Sequence, residues 1–248
     1  MEKNLEWLIE KFIAHKGFHN ETCPQNSLSA FARAIKNDYS IELDVRMLAD
    51  NNVVVFHDSE LGKLTGQDGY ISNLKTEDLP NYKLCGTDEY IPTLRQALDL
   101  INGQVPILID IKSEAIHTGT FETSIYELIK DYKGQLAIMS FNPLTLEWFK
   151  KNAPEITRGL LSTKWNKSLS MADRPNTFIK RFATSHNLLR KRADADFLAY
   201  NVDCLPNRQV KKFKGIPVLG WCVTSQEQYL QKVKYVDNII FEGFKPKI

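Results

Sequence analysis

Eight short apolar runs alternate with stretches of helical spacing along almost the whole chain. The runs are FIAHKG (12–17), SIELDV (40–45), PILIDIK (106–112), LAIMSF (136–141), TRGLLS (157–162), FLAYNV (197–202), PVLGWCV (217–223) and NIIFEG (238–243). Each has the length and composition of a buried strand. Helical stripes lie between them, as at Leu28, Phe31, Ala32 and Ile35, with Asn26 or Ser27 as the N-cap candidate. Further stripes are Leu94, Ala97, Leu98 and Ile101, then Phe121, Ile125, Leu128 and Ile129, and the stretch 144–151. The second half of 163–194 and the stretches on either side of PVLGWCV are also read as helical. A ninth run, VVVFHD (53–58), is separated from SIELDV only by a short segment carrying the turn signal Asp50-Asn51-Asn52. A parallel crossover needs about a dozen residues or more, so this run is a hairpin return. Strands alternating with helices in this number predict the α/β class and a closed (β/α)8 TIM barrel. An open doubly wound sheet is the alternative, and no GxGxxG or GxxxxGK[ST] loop supports it. With 248 residues the chain suits one barrel domain, 1–248, carrying an insertion at 59–90 after the hairpin.

Composition removes several function classes. A hydrophobic share of 43% and a charged share of 25% describe a globular chain. A net charge of +2 gives no strong field for nucleic acid or an anionic membrane. No apolar run approaches the roughly 20 residues of a membrane span. The charged N-terminus is not a secretory signal. Leu5, Leu8, Ile9 and Phe12 instead suggest a short amphipathic helix packed on the domain, with membrane contact through Trp7 as the sharper alternative. Cys23, Cys85, Cys204 and Cys222 form no CxxC pair and read as reduced thiols of a cytoplasmic protein, neither a disulfide framework nor a zinc site. The basic residues Lys180, Arg181 and Arg190-Lys191-Arg192 read as a solvated helix face.

The candidate chemistry lies at the strand ends, where barrel enzymes carry their sites. Glu42 and Asp44 are two apart and share a strand face. Solvated acids at a strand edge would explain them, but two carboxylates on an apolar strand also call for a positive partner. Asp110 and Lys112 repeat the spacing on the next parallel strand, and His15 and His57 end the first strand and the hairpin. Glu42, Asp44 and Asp110 offer hard oxygen ligands for one divalent cation, Mg²⁺ or Ca²⁺. Lys112 and the ion can neutralise phosphate oxygens, while His15 and His57 can act as base and acid. His19, His117 and His186 lack such company and read as loop or surface residues. Trp221, at the end of its strand, reads as a pocket wall.

The ordered segments HKG, PQN, ELDV, VVVFHD, IDIK, MSFNP, GWCVT and NIIFEG resemble the glycerophosphodiester phosphodiesterases from Ile13 to Pro246. The resemblance implies metal-dependent hydrolysis of a small-molecule glycerophosphodiester to glycerol 3-phosphate and an alcohol, within lipid and glycerol metabolism. It implies His15 and His57 as the acid–base pair, Glu42, Asp44 and Asp110 as metal ligands, and Lys16, Lys112 and Trp221 as substrate-binding residues. Five residues, at four places, depart from the family pattern. Lys16 stands where the family usually has arginine, Gln25 and Asp110 where glutamate is usual or frequent, and Phe241-Glu242 where Thr-Asp is usual. A related barrel phospholipase acting on lysolipids through a cyclic phosphate, and a weakened binding protein that keeps the pocket, are the alternatives. Neither the alcohol group nor the oligomeric state is legible.

Overall fold

The computed structural model describes residues 3–113, 118–164, 193–208, 210–213 and 215–247. Eight parallel strands form a ring: β1 (Ile13–Ala14), β2 (Ser40–Met47), β4 (Ile107–Ile111), β5 (Leu136–Ser140), β6 (Thr157–Ser162), β7 (Phe197–Asn201), β8 (Val218–Val223) and β9 (Asn238–Phe241). β1 pairs with both β2 and β9, which closes the barrel. β3 (Val53–Val55) is the hairpin return, antiparallel to β2 with Val45 opposite Val55.

Period-two alternation sorts the side chains. Ile13, Leu108, Ala137, Met139, Leu161, Phe197, Ala199, Leu219 and Ile240 point into one core together with Trp7 and Leu8. The intervening strand residues pack outward against the helices in a second core. That outer layer includes α2 (Leu28–Lys36), α4 (Leu94–Ile101), α5 (Thr120–Ile129), α6 (Pro143–Asn152) and α7 (Gln226–Lys232). Ser27 caps α2 by accepting from the Ala30 N–H, and Thr93 with Gln96 forms a capping box on α4. Gly159 leaves a gap that the Phe197 ring fills, since a Cβ there would lie 2.1 Å from that ring.

Two expectations change. The N-terminal helix α1 is the expected short element packed on the domain, a single turn at Trp7–Glu10. Its Trp7 is only 6% exposed within the inner core, so Trp7 does not face a membrane. The helix expected before β8 is a 3-10 turn at Val210–Lys212 among the described residues, in a run confined between Pro206 and Gly215. The insertion lacks a long period because it is built from short turns: α3 (Gly62–Thr65) and 3-10 turns at Ile71–Asn73 and Thr76–Asn81. Its Leu61, Leu64, Ile71 and Leu79 bury themselves against Leu48 and Phe56 in a separate small core. The expected helix within 163–194, the basic run Arg190–Arg192 with Lys180 and Arg181, and His117 and His186 lie outside the described residues. No helix among the described residues is long and apolar enough to cross a membrane.

Candidate active site

The inward face continues past the apolar core and turns polar at the C-terminal ends of the strands. On β2 the inward residues are Glu42 and Asp44. The parallel register sets Asp44 beside Asp110 on β4. Oxygens of Glu42, Asp44 and Asp110 lie within 4.8 Å of one another, and all three residues are buried. Such crowding is unfavourable without positive charge. Burial, then the charges of Asp44 and Asp110, push the Glu42 carboxyl well up. Burial raises Asp110 as well, and nearby Lys112 opposes the rise. Burial also works against ionised Asp44, yet Lys112, His57 and Lys16 together hold its carboxyl far below the usual range.

The Lys112 ammonium is 2.7 Å from Asp110 Oδ2 and 3.1 Å from Asp44 Oδ1. Asp44 Oδ1 lies off the line of a hydrogen bond, and the buried Asp110 Oδ1 has no hydrogen-bond partner among the described residues. Asn26 fixes the other Asp44 oxygen, donating from Nδ2 at 2.8 Å and accepting the Asp44 N–H at 3.3 Å. An all-oxygen cluster with a buried oxygen left over fits a hard divalent cation.

Two histidines flank the cluster, each with a carboxylate at Nδ1. His15 Nδ1 donates to Glu242 Oε2 at 2.7 Å, and His15 Nε2 is 3.9 Å from Glu42 Oε2. The hydrogen bond from His15, with the His19 ring 3.6 Å away, holds Glu242 well below the usual carboxylate range, so it accepts and the ring proton of His15 sits on Nδ1. Burial pulls the His15 pKa down, and Glu242 counters it. His57 Nδ1 donates to Asp58 Oδ1 at 2.6 Å, which lowers the Asp58 carboxyl. The Nε of Arg46 donates to the His57 carbonyl at 2.7 Å and so ties down the backbone that carries the ring.

The turn after β1 is tightly specified. Lys16 has φ 56°, a left-handed conformation sparse for any residue but glycine. It directs the Lys16 N–H to Glu42 Oε2 at 2.9 Å. Gly17 follows at φ 76°, where a Cβ would meet the Phe31 ring at 2.9 Å. The Lys16 side chain lines a cavity of about 730 Å³ with Gln25, Arg46 and Lys63. Met139, Phe141, Leu161, Trp221 and Ile240 make its apolar wall. Trp221 packs edge-on against Phe141 at 5.7 Å.

All eight residues singled out in the sequence therefore surround one cavity or its floor. Sequence reasoning missed the partners. His19 is a loop residue, but its Nε2 is 3.6 Å from Glu242 Oε2, which corrects the reading that it lacks charged company. Asn26, Asp58 and Glu242 stand inside the quoted segments PQN, VVVFHD and NIIFEG without having been given these roles, and Glu242 lies two residues beyond inward Ile240. Strand alternation could have found Glu242.

Comparison with known proteins sets this geometry in context. The model of the glycerophosphoryl diester phosphodiesterase family matches residues 15–243. The chain belongs to this family. Membership makes it a phosphoric diester hydrolase. A glycerophosphodiester phosphodiesterase of Caldanaerobacter subterraneus is 32% identical over 161 residues, 60% of this chain and 65% of that relative's length. Human glycerophosphodiester phosphodiesterase 1 is 26% identical over 94% of this chain and 79% of its own. An Oleispira antarctica phosphodiesterase, solved with the product sn-glycerol-3-phosphate, superposes with a TM-score of 0.76 at 22% identity, covering 95% of this chain and 93% of that one. That likeness shows the shared barrel fold.

Proposed function

We propose that this chain hydrolyses glycerophosphodiesters to glycerol 3-phosphate and an alcohol, with one divalent cation held by Glu42, Asp44 and Asp110. The observation that carries this reading is the buried carboxylate cluster with its unpartnered Asp110 oxygen, at the mouth of a barrel whose family is metal-dependent in general. Mg²⁺ or Ca²⁺ suits the oxygen ligands, and when bound it supplies Lewis-acid polarisation of the phosphoryl group and charge neutralisation.

The chain's own residues do the rest. Lys112 and Lys16 bring positive charge to the non-bridging oxygens. His15, with its proton committed to Glu242 through Nδ1, presents Nε2 as the base toward the attacking oxygen. Asp58 orients the His57 ring through Nδ1, and His57 delivers a proton to the leaving alcohol. Trp221 and the apolar wall exclude water from one side of the cavity, and the insertion contributes Ser59, Glu60 and Lys63 to the other.

The apolar wall also favours a second reading, a lysolipid substrate cleaved through attack by its own hydroxyl, which ends in a cyclic phosphate. Metal-stripped enzyme incubated with a panel of glycerophosphodiesters, with Mg²⁺, Ca²⁺ or Mn²⁺ added back, separates the readings by product. Glycerol 3-phosphate that appears only with metal, and is lost in Asp44→Asn, supports the first. Full activity in excess chelator overturns it. Absence of turnover under every condition would leave a binding protein.

A further inference from the structure

We propose that His15, Cys222 and Glu242, with His19 beside them, form a second metal site that takes a zinc-type transition-metal ion and switches the enzyme off through His15. The site is distinct in chemistry from the carboxylate cluster. His15 Nδ1, Cys222 Sγ and Glu242 Oε lie within 4.8 Å of one another, a nitrogen, a sulfur and an oxygen together. Thiolate and imidazole select zinc-like ions, whereas Mg²⁺ and Ca²⁺ prefer oxygen alone.

The spacing agrees with that chemistry. A tetrahedral Zn²⁺ at ordinary bond lengths holds its ligand atoms roughly 3.3–3.6 Å apart. Cys222 Sγ is 3.5 Å from His15 Nδ1, and His19 Nε2 is 3.6 Å from Glu242 Oε2. The short edge, 2.7 Å between His15 Nδ1 and Glu242, is the hydrogen bond whose proton an ion would replace. An independent observation points the same way. His19 Nε2 is buried and without a hydrogen-bond partner among the described residues, although it faces Glu242. His15 and His19 are four residues apart but across a turn, not on a helix, and Cys222 and Glu242 lie more than 200 residues further on, which explains why cysteine spacing gave no sign of the cluster.

The consequence follows from counting protons on one ring. A neutral imidazole carries a single N–H. With Nδ1 hydrogen-bonded to Glu242, Nε2 is an acceptor. With Nδ1 bound to the ion, that proton moves to Nε2, and the thiol proton of Cys222 leaves to solvent. Nε2 then donates and no longer accepts a proton from the attacking oxygen. This inhibitory step rests on the function proposed above for His15, whereas the binding step rests on geometry alone.

The test uses the full chain in a large excess of Mg²⁺, which occupies oxygen-only sites, and reads two signals. Co²⁺ is titrated first, and thiolate-to-cobalt absorbance is followed. The band should saturate near one equivalent in the wild type, Cys23→Ser and Cys85→Ser, and be absent in Cys222→Ser and Cys222→Ala. His19→Ala should weaken binding roughly tenfold or more. A wild type without the band, or a band that survives in both Cys222 variants, overturns the site. Zn²⁺ is then added during turnover of a glycerophosphodiester. Loss of rate in the wild type and resistance in Cys222→Ser, each relative to its own zinc-free rate, support the switch. Binding without loss of rate overturns the inhibitory half and counts against His15 as the base, while leaving the site itself standing.

Discussion

Lys112→Met removes the ammonium that lies 2.7 and 3.1 Å from the carboxylates of Asp110 and Asp44. Three buried acids then share no close cation from that strand. Breaking a buried ion pair by deleting one partner costs about 3–5 kcal/mol. Glu42 is already inclined to hold a proton, which relieves part of the repulsion and favours the lower end. For a chain of this size the loss corresponds to a fall in Tm of roughly 6–20 °C. Thermal melts in chelator should show that fall. Saturating Mg²⁺ should narrow the gap by at least half, because an ion at the carboxylate cluster replaces the missing charge and binds a more negative site. The pH dependence in chelator carries a sign of its own. Glu42 titrates higher in the folded state than unfolded, so its contribution makes stability fall as pH rises from the ordinary 4.5 through the raised value. Mg²⁺ should flatten that decline. Equal Tm gaps in chelator and in Mg²⁺ would refute the assignment of these acids as a metal site.

The other outcomes concern single contacts. His57→Ala should lose less rate on a nitrophenyl phosphodiester than on an alkyl one, since a good leaving group needs no acid; equal losses in the two steady-state assays would remove His57 from that role. Lys16→Ala should lower kcat/KM by about 1.5–3 kcal/mol, the worth of a hydrogen bond to a charged group. Lys16→Arg with Gln25→Glu should recover more activity than the two single changes added together, and strict additivity in that cycle would show the two positions to be uncoupled. Gly159→Ala should destabilise by about 1–3 kcal/mol in denaturant melts because its Cβ meets the Phe197 ring, with KM little changed.

Much of this was legible because the strands obey period two. The pairs Glu42 and Asp44, and Asp110 and Lys112, announce a shared face from spacing alone, and the short link from ELDV to VVVF excludes a parallel strand there. What stayed hidden depends on long-range contact. Glu242 reaches His15 only because the last strand closes on the first. Asn26 serves Asp44 and not a helix cap, because its φ of 60° turns it inward while Ser27 takes the cap. The insertion gave no period because its apolar residues are placed by turns, and a turn-based core leaves no repeat in the sequence. The expected packing of the N-terminal helix holds, and its Trp7 lies in the inner core of the barrel and not at a membrane surface, a place that only the closed ring creates.

Hydrolysis of a glycerophosphodiester in water enriched in heavy oxygen, followed by phosphorus NMR with and without chelator, tests the proposed chemistry most directly. The expected result is glycerol 3-phosphate carrying one heavy oxygen on phosphorus in the presence of Mg²⁺ or Ca²⁺, and no product once the metal is removed. Release of a cyclic phosphate as the end product, glycerol 3-phosphate without the label, or turnover that survives chelation would contradict it.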